Sequence, residues 1–220
     1  AAAGLGLTAP LAREILSDGV DAITLGNHCW SKHEFLNSVE DFRQVVRPAN
    51  MPAAWPGRGY AVVGQPGSRL LVINLLGRVY MDPADDPFAT ADQMLDRLKE
   101  EYDTRLCLID FHAEATAEKT AMAWFLNGRA TAVIGTHTHV QTADERILDR
   151  GTAYITDAGM TGPIDSIIGM ERESSLRRFV DRLPAPYSVA QGRCMLNAVL
   201  IEADPANGRA TRIERIRIEE

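Results

Sequence analysis

Leu106–His112 reads LCLIDFH, and Thr131–His139 reads TAVIGTHTH. Each is a short apolar run that ends on histidine. Runs of this kind, with no polar alternation, fit strands buried on both faces of a helix-covered sheet. They predict strands over Leu106–Phe111 and Thr131–Gly135. Similar runs predict strands over Asp21–Gly26, Arg69–Leu76, Ala153–Thr156, Asn197–Glu202 and Arg212–Ile218. The last lies in TRIERIRIEE, whose alternation suits a strand with one wet face. Helical patterns fall between, over Ala9–Ser17, Thr90–Glu101, Ala115–Asn127 and Ser174–Arg182. The first has Thr8 at the N-cap and Gly19 past its end. Strands alternating with helices indicate the α/β class. Arg47–Gly67 is rich in Pro and Gly and reads as a long ordered loop that buries Trp55 and Tyr60. Tyr80–Phe88 reads as a second loop.

Four of the five histidines stand just past the C-terminal ends of predicted strands. His28 follows DAITLG, His112 follows LCLIDF, and His137 and His139 follow TAVIGT. In open α/β sheets that edge is where ligands bind. Any one of them, taken alone, is an ordinary packed histidine. Together they converge on one edge. His137 and His139, at i,i+2, share a side if their segment stays extended. Asn27 adds a hard amide oxygen. Asn27, His112, His137 and His139 thus form a candidate metal constellation without thiolates. His33, in SKHEFL, reads as a solvated surface residue.

The neighbouring residues have quieter readings. Glu114, Glu118 and Lys119 open a helix, where early acids suit the positive end. Glu114 is also placed to orient a ligand. Asp157 and Asp165 read as turn residues, with a ligand-orienting role the alternative. Arg78 suits either a substrate phosphate or an ion pair. Gly4-Leu5-Gly6 reads as a turn feeding the first helix.

Composition sets outer limits. The 220 residues are 45% hydrophobic and 24% charged, which excludes a disordered tail or a disulfide mini-scaffold. The net charge of −7 argues against stable nucleic-acid binding. No apolar run approaches the ~20 residues that span a bilayer. Cys29, Cys107 and Cys194 are odd in number and carry no CxxC, so they read as reduced, non-catalytic thiols of a cytoplasmic protein.

Several longer segments carry a resemblance. They are Thr24–His28 with Trp30, VRPAN at Val46–Asn50, INLLGRV at Ile73–Val79, and DFHAEATAEK at Asp110–Lys119. AVIGTHTHVQTAD at Ala132–Asp144 and TDAGMTGPIDSIIG at Thr156–Gly169 complete the set. In this order they resemble the calcineurin-like metallophosphoesterases, and within them the bacterial YmdB-type cyclic-nucleotide phosphodiesterases. The resemblance implies a four-layer sandwich, with two mixed sheets packed together and flanked by helices. It implies a dinuclear metal-dependent phosphodiesterase acting on 2′,3′-cyclic nucleotides. Asn27, His112 and His137 would bind one metal and His139 the other. His28 would be the general acid. The metals would be iron or manganese, with zinc compatible, and the protein a homo-oligomer. A broader phosphatase on the same fold, or a non-catalytic regulatory protein, are the alternatives. Family members also carry a Gly-Asp motif and a Glu-Asn pair, both absent here. The opening AAAGLGLTAP resembles residues that follow that pair. The expectation is a single domain over residues 1–220 that lacks its first strand–helix–strand unit and is inactive in that form.

Overall fold

The structure is a computed structural model that describes residues 4–186 and 188–220. Ala1–Ala3 of the opening stretch and Tyr187 lie outside them. Helix α1 spans Ala9–Ser17 as predicted, with Gly19 past its end at φ 96°. Thr8 stands at its N-cap, but its side chain makes no capping bond. The strand expected over Asp21–Gly26 is only β1, Ile23–Thr24, paired in parallel with β2, Val45–Val46. The chain turns after Leu25 because Cys29 N–H donates to the Gly26 carbonyl.

The main sheet has six strands: β3 (Tyr60–Val63), β4 (Leu70–Leu76), β5 (Leu106–His112), β6 (Ala132–Thr136), β7 (Arg146–Ile147) and β8 (Ala153–Ile155). Their order is β3-β4-β5-β6-β8-β7. The four central strands are parallel, and β3 and β7 run antiparallel at the edges. β3 lies within the stretch expected to be loop. Val62 and Tyr60 pack on the core there, so tertiary contact overrides the Pro/Gly content.

Helices α2 (Pro87–Glu101) and α3 (Thr116–Phe125) cover one face of this sheet. Leu95 and Leu98 of α2 and Met122 of α3 bury fully against Leu71, Ile73, Ile109 and Phe111. Asp86 caps α2, accepting from the backbone N–H groups of Phe88 and Ala89. That moves the helix start three residues ahead of the predicted Thr90.

A three-stranded antiparallel sheet covers the other face. It holds β9 (Gly162–Pro163), β10 (Cys194–Asp204) and β11 (Arg209–Glu219). Ile201 and Ile213 of its hairpin pack with Leu108 and Ile134 around Ala132, Ala153 and Ala210. Two packed sheets with helices outside form the α/β architecture expected. The helix predicted over Ser174–Arg182 breaks up. It is α4, Arg172–Leu176, followed by a π-turn over Arg177–Asp181 that ends at Arg182 in the left-handed region. A second core gathers Leu7, Ala12, Phe35, Val39, Phe42 and Val45 around α1 and β2. It carries Asn27 and His28 to the edge of the large sheet.

Candidate active site

The C-terminal ends of β5 and β6 lie side by side, with His112 paired to Thr136 in register. His112 Nε2 lies 3.0 Å from Asn27 Oδ1 and 3.1 Å from His137 Nδ1. The two rings meet edge to face with centroids 4.8 Å apart. Gly26 makes this approach feasible: a Cβ there would fall 2.4 Å from the His112 ring. The turn that follows then brings Asn27 against His112.

The bonds on the far sides of the rings fix the tautomers. Thr136 Oγ1 donates to Asp110 Oδ1 at 2.7 Å, so it accepts from His112 Nδ1–H at 2.9 Å. His112 Nε2 is then a bare lone pair. His137 Nε2 lies 3.1 Å from Glu114 Oε2 and donates to it, leaving Nδ1 bare. Three proton-free donor atoms therefore face one another: an amide oxygen and two imidazole nitrogens. Their chemistry suits a cation. Burial pushes the His112 pKa down to about 3, and His137 beside it adds to the effect. Burial also lowers His137, against the pull of Glu114. Both rings are held neutral, the state that ligates metal. Burial raises Asp110 to about 6.

The GTHTH segment departs from the expected extended form. His137 has φ 105° and His139 has φ 68°, so i,i+2 does not put both rings on one side. Non-glycine residues in that region are held there by their surroundings. The holding group is Asp157. Its Oδ2 accepts from Thr138 N–H at 3.0 Å and from Thr138 Oγ1–H at 2.7 Å. Its Oδ1 accepts from Gly159 N–H at 2.9 Å. The same carboxylate pairs with Lys119 Nζ at 2.8 Å, and both side chains are 1% exposed. Gly135 is pressed under this loop, since a Cβ there would sit 1.7 Å from the Thr156 carbonyl oxygen.

This buried pair corrects two sequence readings. The sequence places Lys119 among charges at a helix start, and Asp157 in turn chemistry. Asp157 does make a turn bond to Gly159, but its main role is to anchor Thr138. A Lys three residues into an otherwise apolar helix face, with a strand-end Asp elsewhere, is the available signal. Sequence spacing does not join them across 38 residues.

His139 faces differently from His137. Its Nδ1–H donates to the Ile168 carbonyl at 3.0 Å. Yet His139, His28, His112 and Asn27 line one cleft of about 210 Å³. His28 is exposed, with Nδ1 3.4 Å from Ser31 Oγ. All five predicted site residues thus come together: Asn27, His112 and His137 in contact, His28 and His139 at the same cleft. Among the described residues, no three His, Cys, Asp or Glu side chains group closely enough to hold a metal ion. The contacting set depends on the amide of Asn27.

The other candidates settle into structural roles. Glu114 orients His137. Glu118 accepts from the backbone N–H groups of Arg78 and Val79. Arg78 is exposed and pairs with Asp86 at 3.5 Å. Asp165 pairs with Arg193 at 3.6 Å. His33 is exposed in a 3-10 turn, as expected. Cys29 and Cys107 are buried, and desolvation pushes their thiols up to about 11 and about 12. That disfavours the reactive thiolate. No helix among the described residues is long and apolar enough to cross a membrane.

Known proteins share this arrangement of elements. A Bacillus subtilis (strain 168) protein named 2′,3′-cyclic-nucleotide 2′-phosphodiesterase is 50% identical over 218 residues, covering 99% of this chain and 82% of that one. A crystal structure of a hypothetical protein from Thermus thermophilus is similar with TM-score 0.90 and 43% identity, covering 99% of this chain and 84% of that one. A crystal structure described as a novel phosphatase from Mycoplasma pneumoniae has TM-score 0.88 and 35% identity, covering 99% and 78%. Residues 1–216 match the family model described as YmdB-like protein, and the chain belongs to that family.

Proposed function

We propose that the cleft hydrolyses 2′,3′-cyclic nucleotides at the 2′ ester, with divalent cations as cofactors. One observation carries the reading: His112 Nε2 lies 3.0 Å from Asn27 Oδ1 and 3.1 Å from His137 Nδ1, while the bonds on the far sides of the two rings occupy their other nitrogens. The substrate class is supported by the identity to the Bacillus protein of that name.

The donor set fits a metal ion. Asn27, His112 and His137 would hold one cation, and His139 would serve a second. Two imidazoles with a hard amide oxygen suit iron or manganese, and zinc accepts the same donors. When bound, the ions supply Lewis acidity at the phosphate and activate water.

The remaining work falls to the chain itself. The Asp110–Thr136 relay keeps the proton of His112 on Nδ1, and Glu114 keeps that of His137 on Nε2. His28, exposed at the cleft mouth, donates a proton to the 2′ oxygen as its bond to phosphorus breaks. Asp157 and Lys119 hold the GTHTH backbone in its strained form, so its histidines need no rearrangement when substrate binds.

His28→Ala, made in the full-length protein, tests the assignment. The variant should keep its metal content and lose ~10²–10⁴ in rate, the usual worth of acid assistance. A substrate with a more acidic leaving group should recover part of that loss. Loss of metal together with activity would make His28 a ligand and overturn its role as the acid.

A further inference from the structure

A second cavity, of about 260 Å³, adjoins the histidine cleft and shares His28 and His139 with it. Leu5, Ile168, Met170 and Phe179 line it with apolar surface. Phe179, on the π-turn after α4, is 72% exposed. Large apolar groups held out beside a polar site mark a binding surface. Besides the two histidines, one polar side chain lies among them. Ser175, on α4, is 1% exposed, and its hydroxyl has no hydrogen-bond partner. Buried hydroxyls are ordinarily paired, so this one has hydrogen-bonding capacity left for a ligand.

Ile168 joins the two cavities. Its carbonyl accepts from His139, and its side chain lines the apolar cavity. Its φ of 45° is one that a β-branched residue adopts only under constraint.

We propose that this cavity receives the nucleobase of the substrate, with Phe179 against the face of the ring and Ser175 Oγ bonded to its polar edge. The inference rests on the phosphodiesterase reading given above. Three features carry it. The volume falls just below the ~300 Å³ at which pockets for drug-sized ligands begin, so it suits one ring system and not a whole nucleotide. In a 2′,3′-cyclic nucleotide the base is attached to C1′, the carbon next to C2′, whose oxygen leaves. A base must therefore lie beside the phosphate, which is where the cavity opens. Finally, a nucleobase has apolar faces and a polar rim, matching apolar walls that hold a single hydroxyl. An alkyl group would leave that hydroxyl unpaired.

The test compares a ligand with a base and one without. Calorimetric titration of the purified protein with 3′-AMP and with inorganic phosphate, in the presence of Mn²⁺, gives both affinities. Phe179→Ala should weaken 3′-AMP about tenfold, the scale of one lost base–aromatic stack, and leave phosphate unchanged. Because Phe179 is exposed, its removal leaves the fold intact. Ser175→Ala removes no bond within the protein, so its Tm should hold. It should change the ratio of 3′-AMP to 3′-UMP affinities about two- to tenfold, as one hydrogen bond does. Equal losses for 3′-AMP and phosphate, or no loss for 3′-AMP, would overturn the proposal. So would a Phe179→Ala protein that falls to a smaller assembly on a sizing column while binding 3′-AMP normally, since the apolar face would then be a subunit contact. A wild-type protein that binds 3′-AMP no better than phosphate refutes the base pocket alone. One that binds neither refutes the reading of the histidine cleft as well.

Discussion

Lys119→Met is the sharpest probe of how the fold supports the GTHTH loop. The Lys119–Asp157 pair is 2.8 Å apart with both side chains 1% exposed, so solvent screens it little. At an effective dielectric near 20, such a pair attracts by ~6 kcal/mol, most of it offset by desolvation. Removing the lysine leaves the carboxylate buried without its counter-charge, which costs about 3–5 kcal/mol. Asp157 keeps three donors, Thr138 N–H, Thr138 Oγ1–H and Gly159 N–H, and these hold the loss to the lower end. The expected loss is therefore ~3 kcal/mol. Methionine fills much the same volume, so little of that comes from a cavity. Urea unfolding followed by circular dichroism should show a lower midpoint at unchanged slope. The control is the double variant Lys119→Met with Asp157→Asn, which removes both charges. It should be less damaged than the sum of the two single variants, because each single variant strands one charge. A Lys119→Met loss below ~1 kcal/mol, or additive losses in the double variant, would refute the account of a buried pair anchoring the loop.

Other consequences follow from the same geometry. Gly26→Ala would place a Cβ 2.4 Å from the His112 ring, so metal affinity should collapse while Tm falls only a few degrees; unchanged affinity by metal titration would show that Asn27 and His112 need not meet. Glu114→Gln keeps the shape but weakens the hold on His137 Nε2–H, so metal affinity should drop ~10-fold, the usual effect of losing an orienting partner. An unaltered affinity would leave the His137 tautomer unexplained. Burial pushes the Cys107 thiol up to about 12, so at mildly alkaline pH it stays protonated and shielded in the native protein. Thiol titration should find Cys107 only after denaturation, and rapid native labelling of it would contradict the packing of β5.

Much of this is legible in the order of residues. The apolar runs LLVINLL and LCLIDFH lack alternation because both faces of their strands are covered, and that alone indicates a sheet between layers. The boundaries of α1 follow from its 3.6-residue pattern and the glycine after it. The histidines at strand ends mark the ligand edge, since parallel strands all finish on the same side. Local chemistry of this kind is written in neighbouring residues.

What only the tertiary structure decided depends on groups far apart in sequence. β3 formed inside a Pro/Gly-rich stretch because β4 offered it an edge and the core received Tyr60 and Val62. Position 26 must be glycine because the His112 ring occupies the space a side chain would need. His137 and His139 take left-handed backbone angles, against any reading from i,i+2 spacing, because Asp157 draws Thr138 inward. Asp157 can do so only because Lys119 neutralises it in the interior. A charge is tolerated there solely through its partner, and nothing in either residue's own neighbourhood names that partner.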